Sequence, residues 1–116
     1  MNDETPEHAH RTEFHRRRAT GNAKLLESSN EVFRRFFELD ALAYAEGAVP
    51  ARTKELLGLA LSIAVQCDEC VYYHLERCEA EGVTRDELDE VFALTLVGVG
   101  SVVVPQLRRA VAFLDG

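Results

Sequence analysis

Between Asn22 and Glu46 the apolar residues Leu25, Leu26, Val32, Phe33, Phe36, Phe37, Leu39, Leu42 and Ala43 recur every three or four positions, with polar and charged side chains between them. That stripe predicts one amphipathic helix over 22–46, stopped by Gly47. A second helix is expected in "PARTKELLGLALSIAVQ", where Pro50 suits the first turn because its missing N–H would be an orphan there. A third helix carries residues 67–78 and ends at Gly82, a residue suited to a left-handed C-terminal cap. Thr84 opens a fourth, since Glu87 three residues on completes a capping box. A last amphipathic piece follows Pro105, and "SVVV" is too short and isolated to build a sheet. The pattern therefore predicts an all-α fold of about five to six helices, with residues 1–12 as a mobile tail and 13–116 as a single domain.

The segment Val91 to Leu107 is mostly apolar. It is interrupted by Thr95, Gly98, Gly100, Ser101, Pro105 and Gln106 and falls short of the roughly 20 apolar residues that a membrane span requires. It is expected to be buried, partly beneath another subunit, because so small a domain has little use for a helix apolar all round. Gly98 and Gly100 follow no strand and lack the rest of a nucleotide fingerprint, so close helix packing is their expected role.

Composition narrows the function classes. At 116 residues, with 47% hydrophobic and 28% charged side chains, the chain can build a core without metal or disulfide support. A net charge of −7 argues against nucleic acid or an anionic membrane as partner. The basic run His15 to Arg18 is short and diluted by acids, which fits a solvated or inter-subunit helix face. The first ten residues are polar and acidic with no apolar stretch, so no signal or transit peptide is expected and the cytoplasm is the expected location. There, a cysteine pair is catalytic or metal-binding more often than a structural staple.

All three cysteines, Cys67, Cys70 and Cys78, fall within twelve positions together with His74. The steps of three, four and four place the four side chains on one face of a helix. Cys78 alone reads as a small core hydrophobe. No metal is expected, because ligands on one helix face cannot surround a tetrahedral ion, no second C-x-x-C exists, and His8, His10 and His15 lie in or next to the tail. Redox chemistry uses the spacing directly. Cysteines three apart on a helix have Cα atoms about 5 Å apart, within reach of a disulfide. At a helix N-terminus the dipole stabilises thiolate, and His74 lies one turn beyond Cys70, where it can take a proton. Tyr72 and Tyr73 could line a substrate mouth or pack against other helices.

The run "ELLGLALSIAVQCDECVYYH" carries E-x11-C-x2-C-x3-H as Glu55, Cys67, Cys70 and His74. It resembles the alkylhydroperoxidase D branch of the carboxymuconolactone decarboxylase-like proteins, and "EGAVPARTKELLGLA", "AEGVTRDELDEV" and "LVGVGSVVV" extend the likeness over roughly residues 20–114. The resemblance implies an all-α fold, homo-oligomers (trimers or hexamers) and thiol peroxidase activity on a hydroperoxide. The superfamily's decarboxylase lacks this cysteine pair, so its activity is not carried over. A lipoyl or thioredoxin-like dithiol is the implied reductant, and no bound cofactor is expected. The dipole favours Cys67 as the attacking sulfur, whereas nearness to His74 and the resemblance favour Cys70, with Cys67 resolving. Glu55 is the implied partner of His74. In a straight helical hairpin turning at Gln66, however, it would lie about 16 Å from the turn and His74 about 12 Å, so contact needs a crossing angle or a water. A thiol redox sensor or scaffold that oxidises once is the alternative to an enzyme.

Overall fold

The computed structural model describes residues 6–116, with side chains from His10 onward. The order is α1 (Pro6–Glu27), α2 (Glu31–Tyr44), α3 (Ala51–Ala64), α4 (Asp68–Ala80), α5 (Arg85–Val99), a 3-10 turn (Ser101–Val103) and α6 (Val104–Asp115), with no strand among the described residues. The all-α expectation holds. Two compact units arise, one reaching to Ala45 and taking in Asp115–Gly116, the other running from Glu46 to Leu114.

In the first unit the expected single helix over 22–46 is two. Helix α1 starts well before Asn22, at Pro6, inside the segment expected as a tail, while the first five residues of that tail lie outside the described residues. The break falls at Ser28–Asn30, where polar side chains bond to nearby backbone and compete with the helix. Ser28 Oγ accepts from the N–H of Asn30, and Asn30 Oδ1 caps α2 by accepting from the N–H of Val32, both at 2.9 Å. Leu25 and Leu26 stand seven residues, two helical turns, before Val32 and Phe33, so the stripe keeps its phase across the five polar residues of the break and does not by itself reveal it. Within the basic run, Arg16 and Arg17 both reach Glu13, at 2.6 and 2.8 Å, one helical turn back along an exposed face. The side chain of His8 lies outside the described residues.

In the second unit α3 packs chiefly on α4 and also on α5. Leu59, Ile63, Val71, Leu75, Leu88, Val103 and Phe113 are fully enclosed and form its core. Its ends are fixed by local chemistry. Thr84 Oγ1 accepts from the N–H of Glu87 while the Glu87 carboxylate accepts from the N–H of Thr84, the reciprocal capping box at the start of α5. Helix α4 closes in a Schellman motif: Val83 N–H reaches the Cys78 carbonyl and Gly82 N–H that of Glu79, both at 3.0 Å, with Gly82 at φ 77°. Gly100 ends α5 at φ 109°, a conformation open to glycine, so its role is this turn. The close packing expected at Gly98 is not found within the chain, since a Cβ there would meet nothing within 4 Å. Nor is the Val91–Leu107 segment uniformly buried: Phe92, Thr95, Val103 and Gln106 are, but Leu94 and Val97 stand 73% and 86% exposed. No helix among the described residues is long and apolar enough to cross a membrane.

Candidate active site

The junction between α3 and α4 sets the site. Helix α3 also ends in a Schellman motif, with the N–H of Gln66 on the Ile63 carbonyl and the N–H of Cys67 on that of Ser62, both at 3.0 Å. The left-handed position, φ 59°, is held here by Gln66. The next residue, Cys67, is already the N-cap of α4, and its Sγ accepts from the backbone N–H of Cys70 at 3.3 Å. Cys67 therefore lies just outside the helix rather than within it. Cys67 and Cys70 are joined as a disulfide with Cα atoms 5.3 Å apart, the separation expected of a C-x-x-C at a helix start.

Exposure grades along the cysteine face. Cys70 is exposed, Cys67 half-buried, His74 buried, and Cys78 wholly enclosed. The expected stripe of four reactive groups is thus a surface pair with a buried histidine beneath it and a core thiol below that. Burial, and secondarily the negative charge of Glu55, push the Cys78 thiol up to about 12.

Glu55, 4% exposed on α3, contacts His74 directly: Nδ1 and Oε2 are 2.9 Å apart, and no bridging water is needed. A carboxylate can only accept, so Nδ1 carries the proton, and in the neutral ring Nε2 is the basic nitrogen. The structure therefore brings Cys67 and Cys70 together at the start of α4, places His74 one turn further, and joins His74 to Glu55.

Two features, at Arg77 and Arg109, were not expected from the sequence, whereas the packing of Tyr72 follows one of the two readings given for it. Arg77 Nε lies 3.6 Å from Glu55 Oε1, so the buried carboxylate meets a second partner. Its i,i+3 spacing from His74 was the available signal, but the sequence does not say which acid it meets. Arg109 of α6 pairs with Asp68 in the first turn of α4 at 3.3 Å. Tyr72 packs inward, stacked on Phe113 with ring centroids 4.5 Å apart, and burial raises its phenol above the usual range. Tyr73 is half-buried with its ring 5.0 Å from that of His74. Among the described residues no group of three or more His, Cys, Asp or Glu side chains is placed to hold a metal ion.

Two curated relatives carry no functional description. An uncharacterised protein of Cupriavidus necator is 33% identical over 73 residues, 63% of this chain and 65% of that protein, so the match spans less than two thirds of that relative's length. An uncharacterised protein of the cox locus of Paracoccus denitrificans is 28% identical over 80 residues, 69% of this chain and 72% of that one. A Thermotoga maritima protein gives crystal structures at TM-scores of 0.85 and 0.82, the first 43% identical and covering 89% of this chain and 90% of that one. The second is described as a carboxymuconolactone decarboxylase family protein with a suggested part in the antioxidative response. A family member from Legionella pneumophila, 26% identical, superposes at a TM-score of 0.80 over 90% of this chain and 95% of that one. The carboxymuconolactone decarboxylase family itself matches residues 30–115, and with the shared fold this makes the chain a member of that family.

Proposed function

We propose that the protein is a thiol-dependent peroxidase of the alkylhydroperoxidase D type, reducing hydroperoxides through a Cys67–Cys70 dithiol/disulfide cycle. The observation that carries this reading is the redox pair at the N-terminus of α4, set one turn from a histidine that a buried glutamate orients. In the reduced protein His74 Nε2 takes the proton of Cys70, and the thiolate attacks the terminal hydroperoxide oxygen. The O–O bond breaks, the alkoxide leaves as alcohol with the proton that His74 returns, and Cys70 becomes a sulfenic acid. Cys67 then attacks that sulfur, forming the disulfide and releasing water. An external dithiol, lipoyl or thioredoxin-like, regenerates the pair and is itself oxidised to a disulfide. Exposure of Cys70 supports its role as the attacking sulfur, since peroxide and reductant can both reach it. The N-cap position of Cys67 alone would favour that sulfur as the attacking thiolate, but Cys70 is the more exposed and lies one turn from His74, which leaves Cys67, within disulfide reach, as the resolving group. The working form is proposed to be a homo-oligomer, trimer or hexamer.

Stopped-flow assay of a small panel of hydroperoxides with dihydrolipoamide or reduced thioredoxin tests the cycle. Sustained turnover is expected, whereas one equivalent of oxidation followed by arrest would indicate a redox sensor or scaffold. Sulfenate trapping with a dione assigns the sulfurs. Label is expected on Cys70 in Cys67→Ser and little in Cys70→Ser, and the opposite pattern would reverse the roles.

A further inference from the structure

Glu55 is the buried charge on which the site turns, and its two oxygens are differently engaged. Oε2 meets Nδ1 of His74 at 2.9 Å, and Oε1 meets Nε of Arg77 at 3.6 Å. Arg77 is 42% exposed and could otherwise lie out in water. Its outer nitrogen Nη2 is instead held 3.4 Å from Glu81, one turn on, while its inner nitrogen faces inward to Glu55. We propose that Arg77 is a positioning residue that holds the Glu55 carboxylate with Oε2 aimed at His74 and offsets its charge, so that imidazolium at His74 is favoured less than it would be beside Glu55 alone.

The sign follows from the charges around the ring. From α3, Glu55 touches it, and Arg52 is engaged with Glu87 of α5. Cys67 caps α4, and on α4 itself stand Cys70, Tyr73, Arg77 and Cys78. A buried carboxylate beside imidazole favours imidazolium, which cannot act as a base. A guanidinium on the far oxygen of that carboxylate opposes this, and its planar shape lets it face two carboxylates at once, which a lysine ammonium does less well. Glu81 in turn keeps the guanidinium from swinging away.

This proposal rests on His74 being the base, but its first readout needs no turnover. The His74 imidazole is titrated by NMR in the disulfide form, where neither Cys67 nor Cys70 ionises. In Arg77→Met the midpoint is expected to rise by roughly half a pH unit, given a charge removed within one side-chain length at an effective dielectric near the surface value. Arg77→Lys should recover part of the shift. The acid limb of the pH profile for sulfenate formation should move up with it. An unchanged or lowered midpoint in folded Arg77→Met overturns the proposal. If methionine is not tolerated, Arg77→Gln gives the same comparison with a neutral polar group. A midpoint that rises in a protein that turns over no hydroperoxide would leave this inference standing and remove the peroxidase reading instead.

Discussion

Cys70 and Cys78 lie eight residues apart on one helix, and their surroundings give them opposite chemistry. Cys78 is 0% exposed, and burial followed by the nearby Glu55 charge pushes its thiol up to about 12 from a usual 9.0. It is therefore protonated wherever the protein works, and Cys78→Ala is expected to keep hydroperoxide turnover within a few-fold of the parent. A loss as large as that of Cys70→Ser would refute this. Linkage supplies a second check. Because the folded-state value lies above the unfolded one, the thiol's contribution to stability is complete below about pH 9 and is lost as pH rises toward 12. Denaturant titrations over pH 9–11 should show the parent losing stability more steeply than Cys78→Ala, by up to about 1.4 kcal/mol per pH unit for this one proton. Equal slopes would mean that Cys78 ionises in the folded protein. The spacing of Cys67, Cys70 and His74 was legible in the sequence because a helix start converts it directly into geometry. Glu55 was legible only through the family likeness. A straight hairpin leaves it a few ångströms out of step with His74, and the actual packing of α3 on α4 closes that gap. Arg77 was not legible, since its role depends on which buried acid it meets.

At the scale of elements, the link between α3 and α4 is short, residues 65–67, because Cys67 serves both as the last residue of one capping motif and as the cap of the next. That economy requires a left-handed residue at 66, and a glutamine fills it at φ 59°. A side chain there costs about 1–2 kcal/mol relative to glycine, part of which glycine gives back through its freer unfolded chain. Gln66→Gly is accordingly expected to raise stability by about 0.5–1 kcal/mol in urea melts of the reduced protein. A destabilised Gln66→Gly would show that the glutamine side chain makes a contact worth more than the strain. The α5 start and the α4 end were readable in advance, because Thr84, Glu87 and Gly82 each carry a local signal that does not depend on the rest of the fold. The break at Ser28–Asn30 was readable only in retrospect, for its signal is two side-chain bonds within a polar gap across which the apolar stripe keeps its helical phase.

For the whole molecule, the telling feature is apolar surface that the chain does not cover. On α5 and the turn after it, Leu94, Val97, Val99 and Val102 are exposed, and on α3 and its C-cap so are Leu57, Leu61 and Val65. In the proposed homo-oligomer, this concentration of bare aliphatic groups is the face that a second copy is expected to cover. Gly98 provides a clean probe. Its place is helical, and a Cβ added there would meet nothing within 4 Å among the described residues. Gly98→Leu should therefore leave the fold intact, and even favour the helix, while obstructing a partner that crosses α5 closely. Val97→Glu should weaken association more strongly, by burying an unpaired charge in the contact. Light scattering at about 10 µM is expected to show a stable trimer or hexamer for the parent, a weaker assembly for Gly98→Leu and mostly smaller species for Val97→Glu. A parent that scatters as a clean monomer would sink the idea. A parent oligomer indifferent to both substitutions would move the contact away from α5, and the exposed row on α3 would then be the next face to probe.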